Sequence, residues 1–262
     1  MSIQLRAACG CNMGKIRKNN EDNLYFDHKI LPEDNPGLEH SWYMECDLDE
    51  KSPVFGVFDG MGGEADGQIA SFLAAKILQN QYEQLIFSSE NLQRNFEDLI
   101  EKMNEVVFQE AENLFNRMGC TAAMLLFREN HLYLCNVGDS PIFWLHDRRM
   151  EQISLDHTDA ALLKKQGIMN RKPRLTQCIG ISPEEMRIQP YLFLQKLCVG
   201  ERYLICSDGL TDMVKTEEIA RTLAETKDLK VCAESLIAQA LEGGGKDNIT
   251  VIVIEVDGKN DN

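Results

Sequence analysis

The spacing of apolar residues changes repeatedly along the chain. Short apolar runs lie at 54–58 (VFGVF), 120–127 (CTAAMLLF), 131–137 (HLYLCNV), 141–146 (PIFWLH), 202–207 (RYLICS) and 248–256 (NITVIVIEV). Several are rich in β-branched or aromatic residues, and their length and composition predict strands. Two longer stretches, at about 66–87 and 91–116, carry the 3.6-residue spacing of an amphipathic helix. In the second, Leu92, Phe96, Leu99, Met103, Val106 or Val107, Glu110 and Leu114 trace most of an apolar stripe. Shorter helices are predicted at 159–166, ended by Gly167, and at 216–226 and 230–241. Residues 28–53 carry Pro32, Pro36, Gly37, Pro53 and many acids, and read as a loop-like surface insertion. The last six residues, DGKNDN, are polar and are expected to fray. The two long helices are consecutive, with hairpin-like strand pairs on both sides. That order departs from the strict alternation of a doubly wound sheet and fits an α+β layered sandwich. No internal repeat or low-complexity linker interrupts it, so one domain over 1–256 is expected, followed by a polar tail at 257–262.

Composition narrows the partners. The 262 residues are 44% hydrophobic and 26% charged, enough for one sizeable core. Lys plus Arg total 27 against 42 Asp plus Glu, a net charge of −15, which argues against nucleic acid or an anionic membrane. The nine cysteines are odd in number, and Cys135 and Cys206 sit inside apolar runs, as small buried hydrophobes do in a reducing compartment. Cys9 and Cys11 have no second Cys/His pair at zinc-ligand spacing. No signal-peptide core and no stretch of about 18 apolar residues occurs, so a cytoplasmic protein without a membrane span is expected.

The chemistry is carried by carboxylates at the ends of predicted strands. VFGVF runs into Asp59, LYLCNVG into Asp139 and YLICS into Asp208, while Asp247 leads into NITVIVIEV. A strand fixes its terminal residue and so can aim a carboxylate at one point. Gly60 and Gly209 follow two of these aspartates, allowing close backbone approach and offering a carbonyl as a ligand. Taken singly, an Asp-Gly pair is equally a turn signal. Gly243-Gly244-Gly245-Lys246 lacks the Ser/Thr of a phosphate loop, and a strand follows it. Asp47 and Asp49 lack the glycine and distal glutamate of a calcium loop and read as solvated acids. None of the five histidines pairs with another at ligand spacing, so an all-oxygen site would favour Mg²⁺ or Mn²⁺. Two such cations about 4 Å apart can acidify a shared water and clamp a phosphoryl group. Arg17, four residues before Glu21 and five before Asp22, suits bidentate contact with a phosphate, although with Lys15 and Lys18 it also fits a solvated basic run.

These segments together resemble the metal-dependent protein phosphatases of the type 2C family. The resemblance rests on RKNNED at 17–22, VFGVFDGMGGEADG at 54–67, GCTAAMLLF at 119–127, LCNVGDS at 134–140, LTQCIG at 175–180, SDGLTD at 207–212 and GGKDNITVIVI at 244–254. They stand in the family's order and cover nearly the whole chain. DGMGG, without a histidine, resembles the bacterial branch. The resemblance implies a four-layer α-β-β-α sandwich, with two antiparallel sheets face to face and helices outside. It implies two Mn²⁺ or Mg²⁺ ions in a cleft at one edge. Asp59 would bridge them, the Gly60 carbonyl would bind one, and Asp208 and Asp247 would hold the other. Glu21 and Asp22 would act largely through metal-bound waters, Asp139 would help a third, weaker cation, and Arg17 would grip the substrate phosphate. A hydroxide bridging the metals would attack phosphorus of phosphoserine or phosphothreonine directly. The implied partners are phosphorylated proteins, substrates of a bacterial serine/threonine kinase, and the implied state is a monomer. A phosphorylated regulator, a small phosphoester or an inactive sensing relative are the alternative readings.

Three departures stand out. Met61 occupies the place of the eukaryotic histidine proposed as general acid. Pro141 replaces the arginine that commonly follows Gly-Asp-Ser. Between Asp156-His157-Thr158 and Leu175-Thr176 few residues remain for the bacterial flap, so a reduced flap is expected, whose basic cluster Arg171, Lys172 and Arg174 could guide a phosphopeptide or simply be solvated.

Overall fold

A computed structural model of the chain describes residues 3–62, 66–87, 91–168 and 170–258. In chain order it begins with strands β1 (Ile3–Asn12), β2 (Asp22–Phe26), β3 (Lys29–Ile30), β4 (Trp42–Asp47) and β5 (Val54–Gly62). Two long helices follow, α1 (Asp66–Phe87) and α2 (Leu92–Asn113). Then come β6 (Met118–Cys120), β7 (Ala122–Arg128), β8 (His131–Val137), β9 (Ile142–His146), β10 (Arg149–Gln152) and the short α3 (Ala160–Lys165). The last part holds β11 (Tyr191–Lys196), β12 (Arg202–Cys206), the single-turn α4 (Asp208–Thr211), α5 (Thr216–Glu225), α6 (Leu229–Glu242) and β13 (Ile249–Gly258).

The strands form two sheets, with order β10-β9-β12-β13-β1-β4 in one and β11-β8-β7-β5-β2-β3 in the other, where β6 pairs with β5 as an extension. Every pairing is antiparallel. Side chains alternate across each strand, and this period of two builds the layers. On β13, Ile252 and Ile254 face the other sheet, while Ile249, Val251 and Val253 face α5 and α6. On β5, Phe55 and Val57 point between the sheets, while Val54 and Phe58 meet α1 and α2. The result is the expected α-β-β-α sandwich. Between the sheets, the Phe127 ring lies edge-on to Phe55 and to Tyr203, with centroids 6.0 and 5.6 Å apart.

Three expectations are corrected. Residues 28–53 are not a loop-like insertion. They contain β3 and β4, and β4 pairs with β1 from Gln4↔Asp47 to Cys9↔Trp42 as the edge of its sheet. An edge strand with half-exposed residues and flanking prolines lacks the apolar run that marks central strands. The stripe on α2 passes through Val107 to Ala111, and Leu114, 44% exposed, lies beyond the helix end at Asn113. Asp257 and Gly258, assigned to the tail, continue β13 against Gln4 and Ile3, and residues 259–262 lie outside the described residues. The short flap agrees with expectation: Thr158 bridges to Leu175, and α3 is the one helix described between them.

Because Phe127 fills the space between the two sheets and is fully buried, Phe127→Ala is expected to cost about 3–5 kcal/mol. Urea unfolding followed by circular dichroism measures it, and a loss below about 1 kcal/mol would mean that the inter-sheet layer closes around the gap.

Candidate metal centre

Strand alternation carries charge as well as apolar residues to the inter-sheet face. Leu24 and Phe26 point between the sheets, so Asp22 two residues earlier does too, and Asp59 follows Phe55 and Val57 in the same phase. The two aspartates are register partners on β2 and β5. From the facing sheet, Ser207 continues the phase of Tyr203 and Ile205, and Thr250 that of Ile252 and Ile254. Both hydroxyls donate to Asp22 Oδ2 at 2.7 Å. Asp22 is therefore the point where the two sheets are tied together at their open end.

Around that tie the backbone brings in the other acids. Asp208 is the first residue of α4, directly after β12, and Asp247 precedes β13. The two chain segments touch so closely at Gly209 that a Cβ there would collide with the Asn248 carbonyl. Asn248 also fastens the N-terminal loop: its Oδ1 accepts from the Glu21 N–H at 2.8 Å, and its Nδ2 donates to the carbonyls of Met13 and Asn19. Gly60 donates to the Glu21 carbonyl at 3.1 Å. Asp139 follows Gly138, whose φ of +102° makes the turn and whose missing Cβ leaves room for the Thr121 side chain. Thr121 in turn accepts from the Asp59 N–H at 3.0 Å and shares a 2.6 Å hydrogen bond with Ser140.

The result is a cleft of about 310 Å³ lined by Arg17, Glu21, Asp59, Gly60, Asp139, Lys172, Asp208 and Asp247, among others. All the acids named as metal ligands from the sequence line it except Asp22, which lies beneath it and is 1% exposed. Met61 also faces the cleft. A wider groove of about 730 Å³ between α2 and residues 183–190 carries Glu97, Asp98, Glu101 and Glu105, but these stand exposed on the helix surface.

Crowding shows in the proton affinities. Burial pushes Asp22 up to about 7, with further help from Asp208 and Asp247, against the two hydroxyl hydrogen bonds. Asp59 is raised well above the carboxylate range, first by burial and then by Asp22, Asp208, Asp247 and Asp139. Burial also lifts Asp139, to about 6, and raises Glu21 and Asp208. Two cationic side chains answer this charge. Arg17 reaches Asp247 at 2.7 Å and Glu21 at 3.4 Å, and Lys172 reaches Asp208 at 2.7 Å and Asp212 at 2.6 Å. Among the described residues, no three carboxylate, histidine or cysteine side chains close around one point. The basic flap cluster is exposed, as a solvated loop would be, but two of its members are paired: Arg171 with Asp159, and Lys172 with Asp208 and Asp212 at the cleft.

Sequence reasoning missed the residues that hold this site. Thr250 was visible in principle, as the one polar side chain at an inward position of an otherwise apolar strand. Ser207, Thr121 and Asn248 lie inside segments singled out above but carry no local signal of their own. The Lys172–Asp208 and Lys172–Asp212 contacts join residues 36 and 40 apart in the chain, and nothing in either segment announces them.

Known proteins share the sequence pattern and the fold. A family model described as "Protein phosphatase 2C" matches residues 10–164. The serine/threonine phosphatase stp of Listeria innocua is 29% identical over 255 residues, covering 92% of both chains. The serine/threonine protein phosphatase PstP of Mycobacterium tuberculosis is 30% identical over 274 residues, covering 98% of this chain and 46% of that protein. The crystal structure of a PstP catalytic domain in complex with two manganese ions superposes with a TM-score of 0.78 at 28% identity, over 98% of this chain and all of that one. A serine/threonine phosphatase from S. agalactiae superposes at 0.80 with 25% identity, over 97% of this chain and all of that one. The chain belongs to the protein phosphatase 2C family.

Proposed function

We propose that this chain is a metal-dependent protein phosphatase that hydrolyses phosphoserine and phosphothreonine, with Asp59, Asp208 and Asp247 as the principal ligands of two divalent cations, Mn²⁺ or Mg²⁺. The observation that carries this reading is the convergence of Glu21, Asp59, Asp139, Asp208 and Asp247 on one cleft, with Asp22 beneath them and a single arginine at the lip. Such a donor set fits a hard divalent cation: it is all oxygen, it is anionic, and it is held rigidly by two sheets. Asp59, Asp208 and Asp247 would hold the ions with the Gly60 carbonyl, Glu21 would contribute from the N-terminal loop, and Asp22 would act from below. When bound, the cations supply the charge that keeps these carboxylates ionised and that activates water and the phosphoryl group for in-line attack.

The protein's own groups do the rest. Arg17 lies on the loop fastened by Asn248, and its two terminal nitrogens already bridge two acids in a fork. A phosphate dianion offers that fork a better-matched partner than two separate carboxylates, so Arg17 would bind and orient the substrate phosphate. Thr121 holds the Asp59 backbone and so would fix the position from which its carboxylate serves as a ligand. Met61 faces the cleft but carries no proton, so it cannot protonate the leaving serine oxygen. The substrates would be proteins phosphorylated by a serine/threonine kinase. Among the described residues no helix is long and apolar enough to cross a membrane.

Hydrolysis of an aryl phosphate is expected to require Mn²⁺ or Mg²⁺ and to stop with chelator, and Asp208→Asn is expected to lower kcat/KM by about 100-fold or more. Activity that persists in chelator, or in that variant, would remove the two-cation mechanism. Arg17→Ala should raise KM for a phosphoprotein more than it lowers kcat, and an unchanged KM would take Arg17 out of the site. Asp22→Asn separates charge from structure. Both hydroxyls end on one oxygen of Asp22, so an amide oxygen can keep them while the buried charge disappears. In chelator this variant should be more stable than wild type by about 1–3 kcal/mol in urea, and should gain less from added Mn²⁺. Lower stability would show that the carboxylate is not repelled in the metal-free protein.

A further inference from the structure

Lys172 is the second cation of the cleft, and it has no counterpart in the reading above. Its ammonium group lies 2.7 Å from Asp208 Oδ2 and 2.6 Å from Asp212 Oδ2. Those two acids stand four residues apart, at the first residue of α4 and just past its end, so α4 presents them together. The lysine is not there by chance of a loose loop, because Asp159 pins its segment on both sides. The Asp159 carboxylate pairs with Arg171, its Oδ1 accepts from the Arg174 N–H at 2.8 Å, and its own N–H donates to the Arg174 carbonyl at 3.0 Å. The Thr158↔Leu175 bridge and the Thr176 N–H on the His157 carbonyl close the strap at its base. A four-residue stretch so fastened, Arg171 to Arg174, holds Lys172 over the side of the cleft that contains Asp139 and Asp208, and Asp139 feels the same positive charge.

We propose that Lys172 is a tethered cation that neutralises Asp208 and Asp212 on the outer side of the cleft and thereby keeps a third divalent cation from binding beside Asp139. The physical argument is charge economy. An ammonium group and a divalent ion compete for the same carboxylate oxygens, and the tethered group loses little entropy because Asp159 has already ordered its backbone. Lys172 touches only one oxygen of Asp208, so the ligand set that serves the inner pair of ions is not consumed. The short flap is what makes the arrangement possible: few residues separate α3 from Leu175, and the lysine can reach Asp208 from above. Lys172 is on this account a positioning residue that sets the metal complement, and the inference rests on the carboxylate cluster being a divalent-cation site.

The test is Mn²⁺ binding to the full chain, counted by electron paramagnetic resonance of free Mn²⁺ and by calorimetry. The wild type should bind two ions, and Lys172→Gln should bind a third, or tighten the weakest site by about tenfold or more. Lys172→Arg should restore the wild-type isotherm, which loss of a merely structural side chain would not predict. Asp159→Ala, which frees the strap without touching the cleft, should move the isotherm in the same direction as Lys172→Gln. A Lys172→Gln isotherm that superposes on that of the wild type, in a protein with unchanged circular dichroism, would overturn the role of Lys172 while leaving the two-cation site intact. A wild type that binds no Mn²⁺ would overturn the metal reading itself.

Discussion

The structure depends on one unfavourable arrangement, a group of carboxylates held together at the open end of a sandwich where none can move away from the others. Each is placed by something stronger than its repulsion. Asp22 and Asp59 are set by strand phase in a sheet whose apolar residues cannot shift by one position without turning the core outward. Asp208 and Asp247 are set by the contact of two chain segments at Gly209. The inter-sheet core thus supplies the energy that keeps the acids crowded, and the crowding supplies the affinity for positive charge. Arg17 and Lys172 show that the protein satisfies part of that demand with its own side chains.

The two cations differ in how they are held. Arg17 sits on a loop stitched to β13 through Asn248, and it bridges acids from both ends of the chain. Lys172 sits on a strap stitched to α3 through Asp159, and it bridges two acids of one helical turn. On the proposed function, Arg17 would meet an anionic substrate, and Lys172 would compete with a metal. A cleft lined by acids but guarded by these two groups is closer to neutral at its mouth than the net charge of −15 suggests, which matters for admitting an anion.

Much of this was legible in the sequence because central strands and amphipathic helices write their phase directly into the residue order. The runs at 54–58, 131–137 and 248–256, and the helical spacing at 66–87, mark elements that bury one or both faces. The four aspartates stood out because each terminates or begins such a run. What stayed hidden was of two kinds. β1, with alanine, glycine and cysteine between its larger residues, and β4, half exposed at an edge, lack the apolar density that marks a strand. The hydrogen-bonding partners of the site, Thr121, Ser207, Asn248 and Thr250, are small polar residues whose importance comes from what faces them across the sheets. That relation belongs to the fold and not to any local segment. The flap lysine is the extreme case, since its partners lie at the two ends of a one-turn helix that periodicity cannot detect.

The place of β13 has a consequence for how the molecule comes into being. It is the last element described, yet it is the inner strand that joins β1 to β12 and the one that brings Asp247 and Thr250 to Asp22. Without β13, β1 and β12 lack their common neighbour, and Asp22 lacks one of its two hydroxyl donors. A partly made chain can assemble the other sheet and its helices but cannot assemble the cleft. Asp247 and Thr250 reach Asp22 with the pairing of one strand between two others, so the cleft is whole only with β13 in place.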